Sequence, residues 1–196
     1  MRIVFALAAL AACAPDIAPG TYLCGPEQLC PDGLACNGPD NICVSPAFAR
    51  PFACGAKNED VAGDDTPATA QDLGELACIS LVREKRSCMP PGDASDYYKF
   101  TVAEGCTNVR VQASVVYPIA FERLVLQLAR VGEMPQTIDT ACGTPRLPSD
   151  ADARSCLTAP VTPGTYVLGV VPDGTDNCDG ACAFNRYGLA VQVSGN

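Results

Sequence analysis

The sequence predicts an all-β protein in two parts, a small disulfide-rich module followed by a β-sandwich. Three observations lead there. Beyond about Lys57 the chain alternates apolar and polar residues with the period of two that a half-buried strand needs, and helical periodicity is absent over any useful length. Gly, Pro, Asn and Asp clusters interrupt those runs, as turns between short strands require. Thirteen cysteines fall in 196 residues without one C-x-x-C pair, a usage that suits disulfide-stapled exported domains rather than metal or redox sites.

The predicted strands follow from the alternation. Tyr98, Phe100 and Val102 share one face, with Tyr97, Lys99 and Thr101 on the other. Val109, Val111, Ala113 and Val115 repeat the pattern against Arg110, Gln112 and Ser114. Leu124, Leu126 and Leu128 make a third strand, and Tyr166, Leu168 and Val170 a fourth. Tyr187, Leu189, Val191 and Val193 make a fifth, and residues 75–83 are expected to form another. Residues 57–196 are ample for a sandwich in which one sheet buries a face against the other.

Ahead of the sandwich, residues 22–44 hold Cys24, Cys30, Cys36 and Cys43 among Gly-Pro, Pro-Asp-Gly and Gly-Pro-Asp-Asn turns. So short a stretch cannot fold on buried apolar area alone, and two disulfides at about 2–4 kcal/mol each would supply the difference. Four cysteines admit three pairings. Spacing and turns resemble small EGF-like or Dickkopf-like knots, and the resemblance implies the interlocked pairs Cys24–Cys36 and Cys30–Cys43. A plain spacer stiffened by disulfides is an equal alternative. Residues 45–56 read as a Pro-containing linker. For the remaining cysteines only locality guides the expectation: Cys142–Cys156, Cys178–Cys182, Cys78–Cys88 and Cys54–Cys106.

Thirteen is odd, so one cysteine needs a different fate. Residues 1–12 have the outline of a signal peptide: a positive start at Arg2, then an apolar run from Ile3 to Ala12 that is too short to span a membrane. They end Leu10-Ala11-Ala12-Cys13, which resembles the bacterial lipobox. That resemblance implies diacylglyceryl attachment to Cys13, cleavage before it, and acylation of the new amino group by a fatty acid such as palmitate. Residues 13–21 then form a lipidated tether. Several acyl chains hold a membrane firmly where one holds marginally. Ala14 in place of Asp implies sorting to the outer membrane.

Composition excludes more than it suggests. A net charge of −9 argues against nucleic acid, whose phosphates need a basic surface. The absence of His removes the usual general base and the Ser-His and Cys-His nucleophile pairs. The expectation is therefore a protein that is not an enzyme.

Three further segments carry a family resemblance. DDTPATAQDLGEL at residues 64–76, GDASDYYKFTV at 92–102, and PGTYVLGVVPDG at 163–174 followed by RYGLAVQV at 186–193 resemble, in order and spacing, the start, core strand and closing hairpin of the bacterial pre-peptidase C-terminal domain. The resemblance implies a jelly-roll-like antiparallel sandwich and a non-catalytic module serving secretion, adhesion or stabilisation, in some members with Ca²⁺ at acidic residues. The sequence departs from that pattern at Asp93 and Asp96, which stand three apart rather than two, and no peptidase precedes the domain.

Calcium is the one cofactor worth weighing, because it takes six to eight oxygens from carboxylates and carbonyls. Glu59, Asp60, Asp64 and Asp65 cluster before the first strand, and Asp93 with Asp96 can approach them across the sheet end. General turn statistics favour a plainer role for these residues as turn formers and caps. Asp173, Asp176 and Asp179 lack EF-hand spacing and read as a structural loop pinned by Cys178 and Cys182. The run Arg83-Glu84-Lys85-Arg86 is a candidate for lipid headgroups or an acidic glycan, but the preferred reading is a solvated strand end that discourages edge pairing. The expected function is thus a lipid-anchored, non-catalytic interaction or structural protein of the cell envelope, reaching the membrane through its lipid and an unknown protein or glycan ligand through its sandwich. The alternatives are an inhibitor or accessory partner of an exported peptidase and, last, a Ca²⁺-dependent enzyme.

Overall fold

The computed structural model describes residues 18–24, 29–40, 42–51, 53–54, 60–90, 93, 95–118, 122–142, 152–174 and 185–195. Cys13, Glu59, Cys178 and Cys182 lie outside the described residues, as do Asp176 and Asp179.

In the N-terminal module, β1 (Ala35–Asn37) and β2 (Ile42–Val44) pair antiparallel around a Gly-Pro-Asp turn. Disulfides Cys24–Cys36 and Cys30–Cys43 interlock across them. A single 3-10 turn at Pro46–Phe48 follows, with Pro at its start where the missing N–H costs nothing.

Among the described residues the sandwich has nine strands: β3 (Gln71–Leu76), β4 (Arg83–Met89), β5 (Asp96–Val102), β6 (Val109–Pro118), β7 (Leu124–Arg130), β8 (Gln136–Thr137), β9 (Asp152–Val161), β10 (Gly164–Pro172) and β11 (Asn185–Gly195). One sheet runs β3-β5-β10-β7-β8 and the other β4-β11-β6-β9. The alternation read from the sequence holds. β5, β6 and β11 each bury every second residue, and Tyr98, Phe100, Val111, Val115, Leu126, Leu168, Leu189 and Val191 meet in one core between the sheets. Phe100 and Tyr166 stack there with centroids 5.7 Å apart. Burying such side chains contributes about 1.5–3 kcal/mol each.

Several expectations are corrected. Residues 75–83 are not one strand. β3 ends at Leu76 and β4 begins at Arg83, and between them Ile79 and Leu81 are 81% and 87% exposed. An apolar run without alternation does not distinguish a buried strand from an exposed apolar loop. β3 pairs parallel to β5, against the antiparallel expectation, across a bulge between Asp72 and Gly74. The positive φ of Gly74 makes that bulge affordable, and its N–H donates to Asp72 Oδ1 at 2.8 Å. β10 and β11 do not form a closing hairpin, because they belong to opposite sheets. β9, with its Pro, Ser and Arg, was not foreseen.

Two disulfides exchange partners relative to the local expectation. The bonds are Cys54–Cys88 and Cys78–Cys106, not Cys78–Cys88 and Cys54–Cys106. Cys88 is the sixth residue of the extended strand β4 and pairs with Arg186, whereas Ser80 is held at Val193, seven residues further along β11, so at about 3.3 Å per residue Cys78 and Cys88 stand far beyond bonding distance. Ala103 N–H donates to Leu76 O at 3.0 Å, joining the ends of β3 and β5 and bringing Cys78 to Cys106. Cys54–Cys88 instead fastens the linker to β4. Cys142–Cys156 staples the segment after β8 to β9. The N-terminal module also touches the sandwich through Arg186, which donates to Pro39 O and approaches Asp40.

Candidate metal centre

At the start of β5 the chain brings five acidic residues from two segments together, Asp60, Asp64 and Asp65 from one and Asp93 and Asp96 from the other. Asp96 is the first residue of the strand and faces inward in register with Tyr98 and Phe100, which buries its carboxylate completely. Asp64 lies in the turn before β3 and is 1% exposed. The two segments are fastened by the backbone: Tyr97 N–H donates to Asp64 O at 2.9 Å, and Ser95 Oγ donates to Asp65 O at 3.2 Å. Asp93 closes the loop before the strand, its Oδ1 accepting from Ser95 N–H at 3.3 Å.

Carboxylate oxygens of Asp60, Asp93 and Asp96 all lie within 4.8 Å of one another. Oxygens coordinating one Ca²⁺ at about 2.3–2.6 Å stand at most about 5 Å apart, so the spacing suits a shared ion. Each of Asp64 Oδ1, Asp93 Oδ2 and Asp96 Oδ1 is buried with no hydrogen-bond partner among the described residues. Buried carboxylate oxygens normally find donors, and a lost one costs about 1–3 kcal/mol or more. Their other oxygens are satisfied: Gln71 Nε2 donates to Asp64 Oδ2 at 2.5 Å, and Tyr187 OH donates to Asp96 Oδ2. Tyr98 and Tyr187 hydroxyls meet at 2.8 Å, extending that chain into the core.

The electrostatics carry the same message. Burial, then the charges of Asp64 and Asp93, push Asp96 up to about 7 against the pull of the Tyr187 and Ser87 hydroxyls. Burial, with the neighbouring Asp65 and Asp60, raises Asp93 to about 7 as well. Asp64 and Asp60 are also raised, by burial first and by their acidic neighbours next. No Lys or Arg is among the causes of these shifts. Like charges converging in a desolvated place are unfavourable unless a proton or a cation joins them. The donor set, all oxygen, suits a hard cation such as Ca²⁺.

The structure thus brings Asp60, Asp64, Asp65, Asp93 and Asp96 to one place, Asp65 exposed at its rim and interacting with Asp93. The turn-and-cap roles also appear, in the Ser95–Asp93 and Tyr97–Asp64 hydrogen bonds, so the two readings of these residues coexist. Sequence reasoning assigned Tyr98 and Tyr187 to the core only. Their hydroxyls are the part it missed, and Tyr rather than Phe at an inward position was the available signal.

A second buried polar group lies beside β7 and β11. Asn185 Nδ2 donates to Glu122 O at 2.7 Å, Gly174 N–H donates to Glu122 Oε1 at 3.1 Å, and Arg123 bridges Asp139 and Asp173 at 2.8 and 3.1 Å. Asp173 therefore serves to pair Arg123, while residues 175–184 of that loop lie outside the described residues. Over the outer face of β6, β9 and β11 runs a groove of about 350 Å³ between Val82 and the Cys142–Cys156 bond.

No family model and no curated protein matches the chain. Solved structures do. The chain is similar to the pre-peptidase C-terminal domain of a collagenase from Bacillus anthracis, at 20% identity and TM-score 0.41 over 63% of this chain and 94% of that one. It is also similar to PliG, a periplasmic inhibitor of g-type lysozyme, from Salmonella Typhimurium (17% identity, TM-score 0.36, 61% of this chain and 98% of that one). PliG from Aeromonas hydrophila gives 12% identity and TM-score 0.32 over 62% of this chain and 98% of that one.

Proposed function

We propose that this chain is a non-catalytic binding or structural module of the bacterial cell envelope, held to the membrane by a lipid on Cys13, with a β-sandwich set by Ca²⁺ at Asp60, Asp64, Asp93 and Asp96. The observation that carries the calcium reading is the three unpartnered carboxylate oxygens of Asp64, Asp93 and Asp96 converging in a buried place. The five disulfides among the described residues support an oxidising, exported location. Among the described residues no helix is long and apolar enough to cross a membrane, and the lipobox-like Leu10-Ala11-Ala12-Cys13 supports lipid attachment. An ion there would neutralise the acidic cluster, join the turn before β3 to the start of β5, and fix the loops at that end of the sandwich.

The test is calorimetric titration of the EDTA-treated protein with Ca²⁺ and Mg²⁺. Exported modules of this kind hold Ca²⁺ at ~10⁻⁴–10⁻³ M, so binding in that range with a raised Tm is expected. Mg²⁺, which demands near-octahedral geometry and sheds water reluctantly, should do less. Asp96→Asn and Asp93→Asn should each remove the Ca²⁺-dependent rise in Tm. A Tm indifferent to Ca²⁺ in the wild-type protein sinks the reading.

A further inference from the structure

Two stretches of chain run between the same two points at one end of the sandwich. One leads from the end of β4 into the start of β5, and so from one sheet to the other. The other, residues 54–64, is fastened to the first at both of its ends. Cys54 is bonded to Cys88 near the end of β4, and Asp64 O accepts from Tyr97 N–H at 2.9 Å at the start of β5. Stacked sheets stand about 10 Å apart, so the covalent tie and the backbone tie lie at opposite sheets.

Two of the acidic residues fall between those ties. Asp60 comes six residues after Cys54 and four before Asp64, and Asp93 comes five after Cys88 and four before Tyr97. Their carboxylate oxygens, with one from Asp96, lie within 4.8 Å of one another. The other members have fixings of their own. Asp64 and Asp96 are buried and accept from Gln71 and Tyr187, and Asp93 is turned back by its N–H on Pro90 O at 3.0 Å and by Ser95 N–H on its Oδ1. Asp60 stands on the linker side of Asp64, so the tie that limits where it can go on that side is Cys54. The Arg186 contact to Pro39 is fifteen residues further back along the chain and leaves too much slack to set it. Without the disulfide, the stretch before Asp64 would have to be ordered by the ion itself, at the conformational entropy of each residue fixed.

The same geometry acts on the bond. Cys88 is 1% exposed and Cys54 is partly covered. A thiolate must approach in line with the two sulfurs to break them, which is hindered while the stretch from Cys54 stays on the end of the sandwich. An ion shared by Asp60 and Asp93 would hold it there. Two equilibria joined in this way influence each other by the same factor.

We propose that the Cys54–Cys88 disulfide is a positioning element of the calcium site and that the two are coupled in both directions. The bond keeps Asp60 against Asp93 for Ca²⁺, and bound Ca²⁺ keeps the bond closed against dithiol reductants. The inference rests on the calcium reading proposed above. The reduction it resists is ordinary exchange: a dithiol gives two electrons and two protons, the Cys54–Cys88 bond breaks to two thiols, and the dithiol closes to its own disulfide. Calcium supply would thus set how readily the linker is unfastened from β4 in an envelope that holds such dithiols.

The protein is brought to equilibrium in mixtures of reduced and oxidised dithiothreitol, with Ca²⁺ or with EDTA. Free thiols are then alkylated and mapped by peptide mass spectrometry. Ca²⁺ at ~10 mM, above the expected range of dissociation constants, should lower the reduced-to-bonded ratio of Cys54–Cys88 at least about fivefold, the lower end of usual couplings. Cys78–Cys106 is the internal control, because the length of β5 carries it about 20 Å from the acidic group, and Cys142–Cys156 on β9 is a second. Neither should respond. Asp60→Asn, with all its disulfides formed, should lose the protection. In calorimetry, Cys54→Ser with Cys88→Ser should bind Ca²⁺ more weakly by the factor found for the bond, with its circular dichroism unchanged. The wild-type measurement needs no variant and decides the matter if the double-serine chain does not fold. Absence of Ca²⁺ uptake by the wild-type protein sinks the site and the coupling together. Uptake with a Cys54–Cys88 bond reduced equally in Ca²⁺ and EDTA leaves the site standing and overturns the coupling. An equal shift of all three bonds overturns it too, since that reports stabilisation of the whole fold.

Discussion

Asp96 is a core position by register and, in the calcium reading proposed above, a ligand as well. Alternation along β5 turns it inward with Tyr98 and Phe100, and nothing apolar about it explains why it is there. Its cost is visible as a carboxyl raised to about 7 by burial and by Asp64 and Asp93. Linkage gives the direction of the pH effect. In the unfolded chain these carboxyls titrate near the ordinary value of 3.8, while Asp93 and Asp96 hold their protons to about 7 in the folded chain. Between those values the native state binds more protons, so stability of the metal-free protein falls as pH rises. Thermal unfolding in EDTA should therefore show a lower Tm at pH 7.5 than at pH 5. Millimolar Ca²⁺ should remove that loss, because the ion takes the place of the protons. A Tm in EDTA that rises over this range would contradict the picture. Tyr187→Phe deletes the hydroxyl that Asp96 Oδ2 accepts from and leaves a second buried oxygen unpartnered, a loss of about 1–3 kcal/mol in denaturant unfolding.

At the scale of the element, strands β5 and β10 pair over seven residues of the five-stranded sheet, and their two faces behave differently. Inward, Phe100 stacks on Tyr166, and Phe100→Ala should cost about 3–5 kcal/mol in urea unfolding, since the surrounding sheets close only partly around the cavity. Outward, Gly169 lies under the ring of Tyr97: a Cβ there would come within 2.8 Å of Tyr97 Cε1. Gly169→Ala should cost about 1–3 kcal/mol by displacing that ring, and Tyr97→Ala in the same chain should recover part of it. Full additivity of the two would refute the contact. This outer face was legible only in part. Tyr97, Lys99 and Thr101 read as its polar side, whereas Val125, Val167 and Val171 are buried on it although they are not part of the core between the sheets.

For the whole molecule, disulfide connectivity and lipid attachment make separate demands on mass. Intact mass spectrometry of the membrane fraction, before and after reduction, should show a chain beginning at Cys13 with acyl mass on it and every other cysteine oxidised. Peptide mapping should recover Cys54 linked to Cys88 and Cys78 linked to Cys106. Residues 1–12 retained, or an unmodified Cys13, would refute the anchor. The Cys54–Cys88 bond also couples the N-terminal module to the sandwich. It joins a linker residue to the β4 edge, and Arg186 of β11 adds a second tie through Pro39 O.

The sequence by itself determined which residues face the core, because strand periodicity is local and needs no knowledge of neighbours. Tyr98, Phe100, Val111, Leu126, Leu168 and Leu189 could be read directly. The acidic candidates were legible as residue types, and the cysteine-rich knot as a spacing. Tertiary structure alone decided the rest. Consecutive strands from β3 to β7 and from β8 to β11 alternate between the two sheets, so among the described residues β7 and β8 are the only sandwich strands adjacent both in sequence and in a ladder. When nearly every partner is distant in sequence, no local pattern can name it. That is why nearest-neighbour reasoning misplaced two disulfides and drew a hairpin from β10 and β11; the approach of Asp60, Asp64 and Asp65 to Asp93 and Asp96 was a candidate from the sequence, and the fold alone sets its geometry.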